Sequence, residues 1–174
     1  MRVYQFRHIR AGRNCSRGYS GVVVQEGKPA AEFELASDDG ETVRLADLRG
    51  RPVVLYFYPR DDTPGCTKQA CGIRDAWGLF RERGAVVLGI SPDTEASHAK
   101  FKERYSLPFT LLADPEHRVA EQYGFWVQKS MIGKKFMGIE RSTVVIGPDG
   151  NVERVLRSVK PAEHAEQVLA ALPS

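Results

Sequence analysis

Hydrophobic and polar positions alternate between two periods along this chain. A solid apolar run, Val53-Val54-Leu55-Tyr56-Phe57-Tyr58, predicts a central strand buried on both faces. Ala85–Ser91 predicts a second strand of the same kind. Shorter strands are expected at Ala31–Leu35 and Thr42–Leu45, around the turn Asp38-Asp39-Gly40, and at Phe109–Leu112. Ser142–Ile146 and Asn151–Leu156 flank Gly147-Pro148-Asp149-Gly150 and predict a hairpin. Helical spacing returns between the strands. A helix over residues 66–83 turns Ile73, Trp77 and Phe80 inward and stops at Gly84. Thr94 caps a helix to Tyr105. Asp114-Pro115 opens another that ends at Gly124, and Pro161 opens the last, to Leu172. Strands alternating with helices give an α/β class. The order is compatible with a thioredoxin-like fold, a central mixed β-sheet with flanking helices.

Between these elements, Phe125 and Trp126 are expected to line a rim, and Lys129–Lys135 to form a solvated loop. The chain's 174 residues suit one domain. Its start is different in character. Residues 1–20 hold five arginines and no acid, and without them 20 basic residues stand against 22 acidic ones. We therefore divide the chain into a basic leader, residues 1–26, and a domain, residues 27–174. The near-neutral domain suggests no nucleic-acid partner, and no apolar stretch is long enough to span a membrane. The leader lacks the apolar segment of a secretory signal. The cytoplasm is the expected compartment, with an organelle as the alternative if the arginine-rich start is a transit segment.

The three cysteines, Cys15, Cys66 and Cys71, are too few for a disulfide scaffold. Cys66 attracts attention because it follows a strand and a Pro/Gly loop and opens a helix. There it meets unpaired backbone N–H groups and the positive end of the helix dipole, and both favour thiolate over thiol. Thiolate is the form that attacks a peroxide oxygen. Thr63, three residues earlier, carries a hydroxyl within reach of that sulfur, able to donate to a peroxide. A buried structural cysteine is the bland alternative.

The segment Tyr58-Pro59-Arg60-Asp61-Asp62-Thr63-Pro64-Gly65-Cys66-Thr67-Lys68-Gln69-Ala70-Cys71 resembles the peroxiredoxin family, whose active-site pattern is Pro-x-x-x-Thr-x-x-Cys. A second cysteine five residues on is similar to the Q type, the bacterioferritin comigratory proteins. Further similarity lies in Gly89-Ile90-Ser91-Pro92-Asp93, Leu107-Pro108-Phe109 and Gly138-Ile139-Glu140-Arg141-Ser142-Thr143. The resemblance spans residues 27–172. It implies a peroxidase acting on hydrogen peroxide and organic hydroperoxides, with no cofactor and no metal. It implies that Cys66 is the attacking cysteine, that Thr63 positions the peroxide and that Pro59 shields the thiolate from water. It implies that Arg141 stabilises charge beside Cys66, that Cys71 resolves the sulfenic acid, and that a thioredoxin-type dithiol recycles a monomer, with a dimer as the alternative. Cys15 falls outside it. Five helical residues hold their Cα atoms about 8.6 Å apart, beyond the ~7 Å a disulfide allows. Closing a bridge between residues 66 and 71 therefore requires the helix to unwind.

Other chemistries are weaker. A disulfide oxidoreductase needs Cys-x-x-Cys. A zinc module would have to recruit His98 or His117 to the two cysteines without the usual spacing. A binding domain without catalysis would leave peroxide untouched.

Overall fold

The computed structural model describes residues 23–174, so Cys15 and most of the expected leader lie outside the described residues. Two short antiparallel strands, β1 (Glu34–Ser37) and β2 (Thr42–Arg44), open the domain, followed by a single 3-10 turn, Leu45–Leu48. β3 (Val53–Phe57) leads through α1 (Pro64–Asp75) and α2 (Trp77–Glu82) to β4 (Val86–Ser91), which is parallel to it. α3 (Glu95–Tyr105) then connects β4 to the parallel β5 (Thr110–Ala113). After α4 (Arg118–Gln122), a separate hairpin is made by β6 (Trp126–Met131) and β7 (Lys134–Ile139). β8 (Ser142–Ile146) returns beside β3, antiparallel, and β9 (Val152–Leu156) and α5 (His164–Ala171) complete the chain. The main sheet runs β2-β1-β5-β4-β3-β8-β9.

β3 shows why an unbroken apolar run was needed. It lies between β4 and β8, and all five of its residues are buried. Successive side chains point to opposite faces of a sheet. Val53, Leu55 and Phe57 enter one layer with Phe33, Phe125, Tyr123 of α4's end and Val144. Val54 and Tyr56 enter the other, followed by Tyr58 beyond the strand, with Cys66, Ala70, Ile73, Phe80, Phe101 and Val168. Each such buried side chain contributes roughly 1.5–3 kcal/mol relative to exposure. Tyr56 lies directly opposite Gly89 of β4. A Cβ at Gly89 would come within 2.8 Å of the Tyr56 Cζ and hydroxyl oxygen, so only glycine lets that ring lie across the sheet.

Several expectations need correcting. The first strand begins at Glu34, three residues after Ala31. The helix expected over residues 66–83 starts at Pro64 and breaks at Ala76 into α1 and α2. Pro64 takes the first helical position, where its missing N–H costs nothing. Asp114 does not open a helix directly. Its carboxylate instead accepts from Ala120 N at 3.0 Å, across a turn closed by His117 at φ 47°. Pro161 likewise begins a turn, and α5 starts at His164. Phe125 is fully buried in the core rather than at a rim, and Trp126 stacks on His117 at 3.8 Å. The loop expected over Lys129–Lys135 is the β6–β7 hairpin. Residues 23–26 pack on the domain through Val24, and Glu26 accepts from Val155 N at 3.0 Å. No helix among the described residues is long and apolar enough to cross a membrane.

Candidate active site

The loop from Pro59 to Thr63 sets the start of α1. Asp62 has φ 57°, a left-handed conformation that reverses the chain. Its carboxylate is held by Arg104 and by the Tyr105 hydroxyl at 2.7 Å, both from the end of α3. Thr63 then becomes extended (φ −88°, ψ 153°), as the residue before a proline prefers. The first helical bond runs from Thr67 N to Thr63 O at 2.9 Å. Helix geometry therefore leaves the N–H groups of Gly65 and Cys66 without intrahelical partners.

Cys66 is the third residue of α1 and is 2% exposed. The Arg141 guanidinium reaches it from the link between β7 and β8, with Nη2 donating to Sγ at 3.3 Å. Arg141 Nη1 donates to Gln69 Oε1 at 2.5 Å. Gln69 is fully buried one helical turn beyond Cys66, so it fixes the guanidinium over the sulfur. The guanidinium also passes above Gly65, where a Cβ would stand 3.1 Å from Nη2. Glycine at that position leaves room for the arginine. The cation and the helix dipole thus act on one buried sulfur.

Thr63 is beside this site, but its hydroxyl donates to the Arg60 carbonyl at 3.1 Å. What it offers a peroxide is an acceptor rather than the donor expected from sequence. Pro59 is half-buried in the same loop. Cys71 lies on the same helix as Cys66, partly buried, and both are free thiols.

Residues 26–155 match the model of the AhpC/TSA family. The chain belongs to that family. The peroxiredoxin Bcp of Bacillus subtilis is 46% identical to it over 151 residues, 87% of this chain and 96% of that one. Among solved structures, a cysteine-to-serine variant of Xylella fastidiosa peroxiredoxin Q superposes with a TM-score of 0.82 at 31% identity, covering 87% of this chain and 97% of that one. The Xanthomonas campestris bacterioferritin comigratory protein superposes with 0.77 at 36% identity, covering 80% and 89%. The protein is a peroxiredoxin of the Bcp/Q group, a peroxidase with a thioredoxin-like fold.

The fold of this peroxiredoxin places more polar groups near Cys66 than sequence reading found. Gln69 was missed, although its spacing of three from Cys66 put both on one helical face. His164, at the start of α5, is wholly buried beside Tyr56, with Nε2 2.7 Å from the Thr143 hydroxyl. Burial, and then the nearby Arg141 charge, pull its imidazole from 6.5 down to about 3, so it is neutral. Burial and the negative charges of Cys66 and Asp61 push the Tyr56 phenol well above its ordinary value, so it stays protonated.

A second polar cluster anchors the loop. The Asp61 carboxylate accepts from the Tyr58 hydroxyl at 2.6 Å and from Ser97 at 2.8 Å, and faces His98 Nδ1 at 2.8 Å. Asp61 N donates to Asp93 at 2.8 Å. Asp61, Asp93 and His98 have metal-ligand spacing, within 4.8 Å of one another. Their oxygens already accept hydrogen bonds from hydroxyls and amides, which accounts for that closeness. His117 pairs with Glu121 at 2.8 Å. Among the described residues, the group with metal-ligand spacing contains neither Cys66 nor Cys71.

Proposed function

We propose that Cys66 is the nucleophile of this peroxidase and that Cys71 resolves it. The observation that carries the reading is the Arg141 guanidinium 3.3 Å from a buried sulfur in the first turn of α1. The Cys66 thiolate attacks the terminal oxygen of a hydroperoxide. The O–O bond breaks, the sulfur becomes sulfenic acid, and the alkoxide leaves and takes a proton from water to become an alcohol. Arg141 and the free amides of α1 oppose the negative charge spread over sulfur and leaving oxygen. Thr63 accepts from the peroxide O–H, and Pro59 restricts water at the mouth.

The Cys71 thiolate then attacks the Cys66 sulfenic acid, forming the disulfide and releasing water. A dithiol reductant of the thioredoxin type returns both cysteines to thiols. The Xanthomonas campestris relative is described by its alkyl peroxide reduction activity, which supports organic hydroperoxides as substrates beside hydrogen peroxide. The working unit we propose is a cytoplasmic monomer with no nucleic-acid partner. The leader, residues 1–26, is assigned no part in the chemistry.

The test is peroxide consumption with thioredoxin, thioredoxin reductase and NADPH. Cys66→Ser should show none, because a serine hydroxyl is not ionised near neutrality. Substantial turnover by that variant would refute the assignment.

A further inference from the structure

Six large apolar residues are conspicuously exposed among the described residues, and four of them are on one hairpin: Met131, Ile132, Phe136 and Met137. β6 and β7 pair only with each other, so these side chains serve no sheet or core. The turn makes the case sharper. Ile132 and Gly133 close a two-residue loop with φ of 50° and 74°. Asn-Gly is the favoured pair in such a turn, and a β-branched residue at positive φ is strained. Ile132 holds that conformation while 96% exposed. An isoleucine there opposes both folding and solubility, so its use lies in contact with another molecule.

Charge narrows the partner. Residues 126–139 contain Lys129, Lys134 and Lys135 and no acid. Apolar side chains interleaved with lysines suit an acidic partner and repel a second copy of the hairpin. Position narrows it further. Opposed residues of a hairpin share a face, so Lys129 stands with Phe136, and Met131 with Lys134. β7 runs into Arg141 two residues after its end. Burial and the Arg141 charge pull the Lys129 ammonium down from its ordinary value, and Cys66 acts in the opposite sense, so Lys129 is within electrostatic reach of both.

We propose that the β6–β7 hairpin is the docking surface for the protein reductant, a thioredoxin-class dithiol with an apolar rim and acidic flank. The inference rests on the disulfide between Cys66 and Cys71. The docked reductant's thiolate attacks one sulfur of that bridge and expels the other as thiolate. Its second thiolate attacks the mixed disulfide and expels the remaining sulfur. The reductant leaves oxidised by two electrons, and the two thiolates it released take up protons.

The test uses the full chain with Ile132→Asn and with Lys134→Glu/Lys135→Glu. Neither change touches the catalytic groups, and asparagine suits the turn, so the fold is retained. The KM for thioredoxin should rise about tenfold, the size of a lost interface anchor. The rate of peroxide attack on reduced enzyme, and recycling by dithiothreitol, should be unchanged. An unaltered KM for thioredoxin in both variants overturns the docking site while leaving the peroxidase reading intact. Equal slowing with dithiothreitol also overturns it, because the hairpin would then act on the disulfide itself. A wild type that thioredoxin does not reduce at all overturns both the docking site and the proposed reductant. A dimer lost in Ile132→Asn, or loss of binding to anionic lipid vesicles, with the KM for thioredoxin unchanged, overturns the docking site alone. Those outcomes assign the surface to a second copy or to a membrane.

Discussion

Arg141 and Gly65 form one device at the scale of single residues. A long, charged side chain lies across the first turn of a helix, and a Cβ at Gly65 would crowd its Nη2 at 3.1 Å. Two substitutions separate the charge from its placement. Arg141→Ala removes the donor to Cys66 and should slow peroxide attack by about 10²-fold, the scale of losing one preorganised charge-stabilising group. Gly65→Ala retains the arginine but puts a methyl group 3.1 Å from Nη2, which must move aside. Its rate should fall by about tenfold, a smaller cost for displacing a group than for deleting it. Alanine also raises helix propensity by about 1 kcal/mol, so thermal stability should hold or rise. Stopped-flow reaction of the reduced enzymes with hydrogen peroxide reads both rates. A Gly65→Ala variant as fast as wild type would mean that the guanidinium does not need its position over the helix.

The element that matters most is α1, which carries Cys66 and Cys71 in one continuous run from Pro64 to Asp75. An intact helix holds their Cα atoms about 8.6 Å apart, too far for a bridge. The proposed bridge between Cys66 and Cys71 therefore requires the start of α1 to unwind on oxidation. Hydrogen exchange should show faster exchange at residues 66–72 in the disulfide form, with β3 unaffected. Cys71→Ser should complete one turnover, accumulate sulfenic acid and lose thioredoxin-supported cycling. Equal protection of residues 66–72 in both forms would contradict the unwinding. This helix also shows what sequence could reveal. Its opening near a cysteine was legible from the strand-loop-helix pattern, because a helix start needs only local signals. The break at Ala76 was not, since neither glycine nor proline occupies that position and Gly78 lies inside α2. The β6–β7 hairpin was hidden because its turn lacks asparagine and its exposed positions mix apolar with cationic residues, which blurs the two-residue period. Arg141 was legible through family resemblance alone. No local pattern carries a contact between residues 75 positions apart.

At the scale of the molecule, the two core layers put α1 and α5 on the same side of the sheet, and His164 is sealed between them and β8. Its neutrality has a consequence for the whole fold. In the unfolded chain the imidazole binds a proton as pH falls through 6.5, whereas in the folded chain it stays neutral to about 3. Across that window the unfolded state holds more protons, so acid favours unfolding. The contribution is fully present above about 6.5 and is lost progressively as pH falls towards 3. Over two pH units within the window this amounts to about 2–3 kcal/mol. His164→Gln retains a polar partner for the Thr143 hydroxyl but cannot titrate. Urea denaturation at pH 7 and at pH 4.5 should therefore show a smaller acid loss for the variant than for wild type. The variant should be the less stable protein at pH 7, where a buried imidazole packed against Tyr56 is replaced, and the difference should shrink or reverse at pH 4.5. Protonation of His164 would also set a second cation near Arg141, so the neutral ring leaves the guanidinium as the charge that acts on Cys66. Parallel acid slopes in the two proteins would mean that His164 takes up its proton without unfolding, and that the seal between α5 and the sheet opens to water.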